Sequence, residues 1–506
     1  LRVICMKVLI IGSGAREHVL AKLVLKSTIG VKLYSIADYV NPGLKRESER
    51  TGGKLYVAST PSPDHIVKVA EEISPDLVVI GPEEPQFAGV TDALRENGFT
   101  VFGASKKLSI IEQSKVFARS FMWRHKIPGR LFFQAFRDLK EAEEFMKYAG
   151  DVVVKPARQV GGKGVRVLRD TRAYLSSEKS KIKQAAVLDV LNEMKHYDDI
   201  EYKILVEQRV EGVEYTVHVI TDGDGFVSLP VIQDHPHAFE WDIGPETGGM
   251  GCIAGPGKTP PFLTIEEYDR SVEIVSDIIR KLSEEMREQY TGVLAGQMML
   301  TWFWGPTIIE FYSRFGDPEI TAILPLVESD FLELLDRAAN RRLAGYKLAI
   351  NEEKVSIVKA VAPLGYPSHR KEATGHPIQV DEARIMDLGC DVVYGSVELG
   401  DNGIVTKGSR SVEIVCVDDG YPNAYEKAEK AVSYVRSLDG WPLFHRSDIG
   451  SHELLRERIG LAERVRRIYK YRASKGILGE YYVWIPSKGL FSNPLIVLLG
   501  GLNEST

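Results

Sequence analysis

The residues best equipped for chemistry sit together at 308–319, IIEFYSRFGDPE. The apolar opening predicts a buried strand. Its end carries Glu310, Arg314, Asp317 and Glu319, with Gly316 and Pro318 breaking the strand pattern. A strand tip with both signs of charge suits a divalent cation beside a phosphoryl group: the cation needs carboxylate oxygens, the phosphoryl group a planar guanidinium. The same residues also make an ordinary ion-paired strand end, so the choice depends on the rest of the chain.

Three further stretches bear on that choice. KVLII at 7–11 closes in Gly-Ser-Gly and leads into helical spacing over 15–25. Gly12 and Gly14 let the backbone approach an anion, and a helix N-terminus supplies free N–H groups. Arg16 and His18 add side-chain donors. The motif reads GSGARE, with Glu17 where a dinucleotide fingerprint has its third glycine. That substitution disfavours a nicotinamide or flavin site and leaves a phosphate-anchoring loop or a structural turn. Farther on, DVVVK (151–155) and a strand at 165–168 flank ARQVGGKG (157–164), a hairpin whose glycine tip suits folding over phosphates or a plain surface loop. It lacks the GxxxxGK[ST] order of a Walker loop. Finally, QDHPHAFEWDIGPETGGMG (233–251) has no regular period, and an ordered loop of that length is usually functional.

These groups need elements to hold them. Apolar runs at 7–11, 32–37, 77–80 and 100–102 alternate with helical segments, including 64–73, which predicts a parallel sheet with helices on both faces and ligands at the strand C-termini. Glu83 and Glu84 of GPEEP fall at such an end, as substrate contacts or as solvated loop charges. A helix is expected over 108–123, with Ser114 and Lys115 on a polar face. Strands at 204–210 and 213–220 are expected to join through a tight turn at Glu211-Gly212, followed by a strand at 225–232. A long helix over 265–290, a strand at 292–300, a helix over 331–346 and a last α+β region with strands at 354–362, 392–397 and 411–417 and a helix over 425–438 complete the chain. The basic stretch ERVRRIYKYR after residue 451 has no functional reading.

Composition narrows the classes. With 506 residues, 44% hydrophobic and 26% charged, the chain is expected to form several globular cores. A net charge of −6 argues against a nucleic-acid-coating surface, and no apolar run approaches the roughly 18 residues of a membrane span. Cys5, Cys252, Cys390 and Cys416 are far apart with no CxxC, which predicts a reducing, cytoplasmic setting without zinc or a disulfide framework.

Lys155 before GGKG, VEQRVEGVE and a late carboxylate-bearing strand together resemble the ATP-grasp superfamily. IGSGAREH, NPG, IGPEEP, QDH…GPETGGMG, IEFYSRFGDPE, AVAPLGYP, TKGSR and RSDIG, in that order over roughly 6–450, resemble the phosphoribosylamine–glycine ligase family in its archaeal form. The resemblance implies a multidomain α/β chain: a pre-ATP-grasp, Rossmann-like N-terminal domain (1–108), a connecting helix (109–125) and a mobile lid subdomain (126–203). After these come an α+β ATP-grasp core (204–335), a small C-terminal α+β domain (336–450) and an extension (451–506).

It also implies ATP, Mg²⁺ or Mn²⁺, and the substrates glycine and 5-phosphoribosylamine, in a monomer or weak homodimer with no nucleic-acid or membrane partner. By position, Lys115 and Lys155 match the lysines on the ATP phosphates, Gly161, Gly162, Lys163 and Gly164 the lid, Glu207 and Val210 the adenine hinge, and Glu214 the ribose acceptor. Glu310 matches a metal ligand, with Gln297 as a second oxygen donor. Arg314 and Asp317, with Lys155, fall where the family handles the acyl phosphate and the amine. Gly14, Arg16 and Glu17 face the ribose phosphate, and Asp234, Gly248, Gly249, Met250 and Gly251 the region of glycine and the ribosylamine. Two positions depart: the family has asparagine two positions after the metal-binding glutamate, where this chain has Tyr312, a poor Mg²⁺ ligand, and the bacterial form of the family has arginine near the position of His237 in QDHPHAF. Another carboxylate–amine ligase, or a nucleotide-binding ATP-grasp protein without turnover, are the competing expectations.

Overall fold

The computed structural model describes residues 5–146, 152–158, 166–168, 194, 201–480, 482–485 and 489–492, so the expected lid glycines at 161–164 lie outside the described residues. The chain divides into two compact units: residues 1–109, 215–296 and 312–459 in the first, and 110–214, 297–311 and 460–506 in the second.

In the first unit, five parallel strands take the order Leu55–Val57, Gly30–Ala37, Cys5–Ile11, Leu77–Ile80, Val101–Phe102. Alternation decides which core each side chain enters. Val8, Ile10, Leu77 and Val79 pack with Val19, Leu20, Leu23 and Val24 of the helix Ala15–Val24. Leu9, Ile11, Val78 and Ile80 pack with Ile66, Ala70 and Ile73 of the helix Pro63–Ile73 and with Val90 and Leu94. Helices therefore cover both faces. Strand order reverses between Cys5–Ile11 and Leu77–Ile80, and the glycine turns at 12–14 and 81–83 lie at the C-terminal ends of those two strands, the usual ligand position in such sheets.

The C-terminal part of this unit has its own core. Val355–Pro363 pairs antiparallel with Gly251–Ala254 and with Val412–Asp418, which pairs with Cys390–Tyr394. Ala424, Ala428 and Ala431 of the helix Tyr421–Val432 close over these strands. Two cysteines expected to be unpaired are bonded: Cys390 and Cys416 are cross-strand partners with Cα atoms 4.2 Å apart, and they form a disulfide. Spacing along the chain concealed this, because antiparallel pairing joins positions 26 residues apart.

The second unit contains a four-stranded antiparallel sheet, in the order Phe133–Phe136, Ile204–Gln208, Val152–Pro156, Arg166–Leu168. The hairpin expected across Glu211-Gly212 does not form. Ile204–Gln208 stays in this sheet, while Gly212–Thr221 begins a strand of a different one. Gly212 permits the switch: a Cβ there would stand 1.9 Å from the Leu300 carbonyl oxygen, so only glycine allows that approach. The helix expected over 108–123 is two, Ile110–Gln113 and Lys115–Arg124, because Ser114 leaves the helical path and caps the second by accepting from the Phe117 N–H at 3.1 Å. The basic tail is a helix, His452–Ser474, and its Arg472 guanidinium lies over Trp302 at 5.3 Å. No helix among the described residues is long and apolar enough to cross a membrane.

Closing a loop of this length should stabilise the chain by about 3 kcal/mol. Thiol reduction should therefore lower the melting temperature of the wild type to that of C390A/C416A and leave the variant unmoved, as read by calorimetry with and without reductant.

Candidate active site

The second unit holds a cluster of buried charges lining a partly open cavity. Lys115 and Arg119 are one helical turn apart and so share a face. Lys155 and Glu207 come from adjacent antiparallel strands at a diagonal register and so reach the same side of the sheet. Lys155 Nζ lies 2.6 Å from Glu207 Oε1 and 3.4 Å from Glu310 Oε1; Lys115 Nζ is 2.8 Å from Glu310 Oε1. Arg119 donates to Glu207 Oε2 at 2.8 Å and to the carbonyl oxygens of Ile308 and Ile309.

Charges this deep persist only in pairs. Burial opposes the Lys155 ammonium, but Glu207 and Glu310 outweigh it and raise its pKa. Burial likewise opposes the Glu310 carboxylate, and Lys115 and Lys155 overcome it to bring its pKa to about 2. Glu207 is lowered in the same way, against burial, by Arg119 and Lys155. Its carboxylate is thus engaged with two cations, and the segment around Val210 is partly exposed. Glu214 and Gln297 lie on the strands Gly212–Thr221 and Gly292–Thr301, both partly exposed.

The first unit holds a second cluster. Glu17 Oε2 accepts from the Gly14 N–H at 2.6 Å and Oε1 from Arg16 Nε at 2.9 Å, so it caps its helix and aims Arg16. Glu17 fits where a dinucleotide fingerprint has glycine because the walls opposite it are bare. A Cβ on Gly12 would stand 2.6 Å from the Glu17 side chain, and one on Gly81 2.2 Å from its Oε1. Arg16 Nη1 reaches the Phe315 carbonyl oxygen at 3.0 Å. Glu83 is only partly exposed and is paired: Arg314 Nε donates to it at 3.2 Å, and against its burial Arg314 and Arg16 keep it below the usual carboxylate range.

Arg410, quoted within TKGSR but given no role there, joins three segments. Its Nη1 donates to Gly248 O at 2.9 Å, Gly249 O at 3.0 Å and Asp317 O at 2.7 Å, and its Nη2 lies 3.3 Å from Asp317 Oδ1. The irregular loop over 233–251 includes a short hairpin, His237–Phe239 with Ile243–Glu246, before the glycine turn. Asp234, on the strand Ile232–Asp234, is buried, as is the Gly251 turn. Met250 is buried. Its side chain is in the C-terminal core, and its N–H and C=O bond His235 and Ala360. His218 accepts from the Gly316 N–H at 3.0 Å and is held neutral mainly by burial, its pKa about 3. Tyr312 presents its ring to Arg314, whose guanidinium carbon stands 4.2 Å from the ring centre.

The structure therefore adds Arg119 and Arg410 to the residues expected. Arg119 was legible as the i+4 neighbour of Lys115; Arg410 required the fold.

A glycine turn at the switch point of a parallel sheet and a buried Lys–Glu cluster in an antiparallel sheet fit an ATP-grasp ligase, and comparison with known proteins agrees. Family models for the phosphoribosylglycinamide synthetase N domain, ATP-grasp (A) domain and C domain match residues 6–112, 113–320 and 356–452. The chain is 39% identical over 465 residues to the phosphoribosylamine–glycine ligase of Methanopyrus kandleri, covering 91% of this chain and 99% of that one. It is 37% identical over 467 residues to that of Methanocaldococcus jannaschii, covering 91% and 100%. The crystal structure of the Thermotoga maritima phosphoribosylamine–glycine ligase superposes with a TM-score of 0.68 at 23% identity, over 88% of this chain and 100% of that one. The chain belongs to the phosphoribosylamine–glycine ligase family.

Replacing Glu207 with Gln should destabilise the protein by about 3 kcal/mol at neutral pH, since Lys155 and Arg119 lose a buried counter-charge. The folded-state pKa of Glu207 is depressed, so its contribution is complete above the ordinary value of about 4.3 and is lost as pH falls through the folded value. The stability gap between wild type and E207Q in urea titrations should therefore narrow from pH 7 towards pH 3.

Proposed function

We propose that the chain joins glycine to 5-phosphoribosylamine with hydrolysis of ATP to ADP and phosphate. The observation that carries this reading is the buried Lys115–Lys155–Glu310 cluster lining a cavity in the region matched by the ATP-grasp domain model. A glycine carboxylate oxygen attacks the γ-phosphorus and ADP leaves, giving glycyl phosphate. The ribosylamine nitrogen then attacks the acyl carbon, the C–O bond to phosphate breaks, and the nitrogen loses one proton. Such transfers ask a protein for alignment and charge neutralisation more than for covalent help. Lys115 and Lys155 neutralise the nucleotide phosphates, Arg314 the transferring phosphoryl group, and Asp317 orients the amine. Arg16 and the Gly14 N-terminal turn receive the ribose phosphate, and the amides near Gly248 and Gly249 the glycine. Val210 and Glu214 border the adenosine, and Gly161–Gly164 cover the phosphates.

A divalent cation, Mg²⁺ or Mn²⁺, fits a site of restricted kind. Among the described residues no three His, Cys, Asp or Glu side chains are grouped to hold a metal. Glu310 is nevertheless an ionised carboxylate at the cavity, with Gln297 as the proposed amide donor. That donor set suits an ion that draws its remaining ligands from nucleotide oxygens and water, as Mg²⁺ does. When bound, the ion offsets charge on the phosphoryl oxygens. We further propose that the chain divides at 108, 125, 203, 335 and 450, the cytoplasm being its working compartment and a monomer or weak homodimer its working form.

Wild-type protein supplied with Mg-ATP, glycine and phosphoribosylamine generated in situ should release ADP only when both co-substrates are present. K155M should lower kcat at least about a hundredfold, the scale of one charge-stabilising contact. Nucleotide binding without turnover, or ADP release with a different acid, overturns the reading. Tyr312→Phe keeps a ring face beneath Arg314 and should stay within about threefold of wild-type kcat/KM, whereas Tyr312→Ala should lose about tenfold, the range of a partly buried cation–π contact.

A further inference from the structure

Glu413 has no part in the reading above, yet it is buried against the turn that carries Asp317. It lies on the strand Val412–Asp418 and is 1% exposed. Its Oε2 accepts from the Thr321 hydroxyl. Its Oε1 and Asp317 Oδ1 are both buried; among the described residues only the Arg410 guanidinium, beside Asp317 Oδ1, approaches them with a donor, and a side-chain hydrogen bond links the two carboxyl groups. Two carboxylates in such contact cannot both be ionised.

The surroundings decide which one keeps the proton. Arg410, on the segment preceding the Glu413 strand, lies 3.3 Å from Asp317 Oδ1, and Arg16 and Arg314 add positive charge at Asp317. Against its burial, these groups hold Asp317 at a pKa of about 2. Glu413 gains less from Arg410 than it loses through burial and Asp317, and its pKa rises well above the usual value. Glu319, on the same turn as Asp317, and Asp234 and Cys252, on the neighbouring strands, supply no cation. Tyr366 faces Arg410. Asp317 Oδ2 is directed elsewhere: a Cβ built on Gly14 would stand 3.7 Å from it, so this oxygen faces the N-terminal glycine turn.

We propose that Glu413 is a protonated positioning residue whose carboxyl O–H donates to Asp317 and fixes the direction in which that carboxylate meets the substrate amine. The amine contact rests on the ligase reading above; the shared proton does not.

The test uses the full-length protein and two readouts. In substrate-free protein at neutral pH, infrared difference spectra should show a protonated carboxyl C=O band that E413Q removes. No such band, or one unchanged in E413Q, overturns the shared proton. In the ADP-release assay, E413Q, which retains a donor, should keep at least a third of wild-type kcat at neutral pH and lack the alkaline decline that wild type shows as Glu413 ionises. E413L, which has no donor, should lose at least tenfold in kcat/KM for the ribosylamine at every pH. Equal losses in both variants, with unchanged pH profiles, reduce Glu413 to packing and overturn the positioning role. If wild type forms no glycine-dependent ADP, the ligase reading fails and the amine contact with it, while the infrared band still decides the proton.

Discussion

Burying charge is the constraint on which this protein depends. Ammonium, guanidinium and carboxylate groups resist removal from water, and each becomes tolerable inside a fold only opposite its counterpart. Lys155, Arg119, Glu207 and Glu310 satisfy that condition jointly, so none can be read as an isolated ligand contact. The same condition recurs around Arg16, Glu83, Arg314, Asp317 and Arg410. In both clusters the charges already stand paired and oriented within the fold. The reorganisation that water would need is made during folding instead.

Much of the fold was legible because it rests on apolar runs of definite length. The strand expected at 77–80 is Leu77–Ile80, and KVLII with its glycine turn is the centre of the parallel sheet. Legibility declined where side-chain pattern and backbone path part. Helical spacing continues through Ser114 although the backbone leaves the helix there, and only its capping role explains the break. Thr374–Val380 and Gly403–Lys407 escaped notice because they are short and largely half-exposed or exposed, so no apolar period marks them. Pairing between distant strands, which produces the Cys390–Cys416 bond and brings Arg410 to Asp317, has no local signature at all.

Tyr312 shows how a departure from a motif can mislead. Considered as a metal ligand it is an unsuitable choice. Considered as a surface it is apt, because an aromatic face attracts the guanidinium two residues on and limits the directions Arg314 can take. The ring thereby supports the turn as a platform.

The fit of Glu17 against Gly12 and Gly81 extends to how this sequence can change. Each of the three positions is acceptable only in the presence of the others: a methyl group at either glycine would collide with the carboxylate chain, and a smaller residue at 17 would leave the Gly14 N–H and Arg16 without their acceptor. Single exchanges at these sites should therefore behave as strongly epistatic. The step from this loop to a three-glycine nucleotide fingerprint is the single exchange Glu17→Gly, and it removes the acceptor of both the Gly14 N–H and Arg16 Nε, which gives the N-terminal turn an evolutionary inertia that its short, common motif does not suggest.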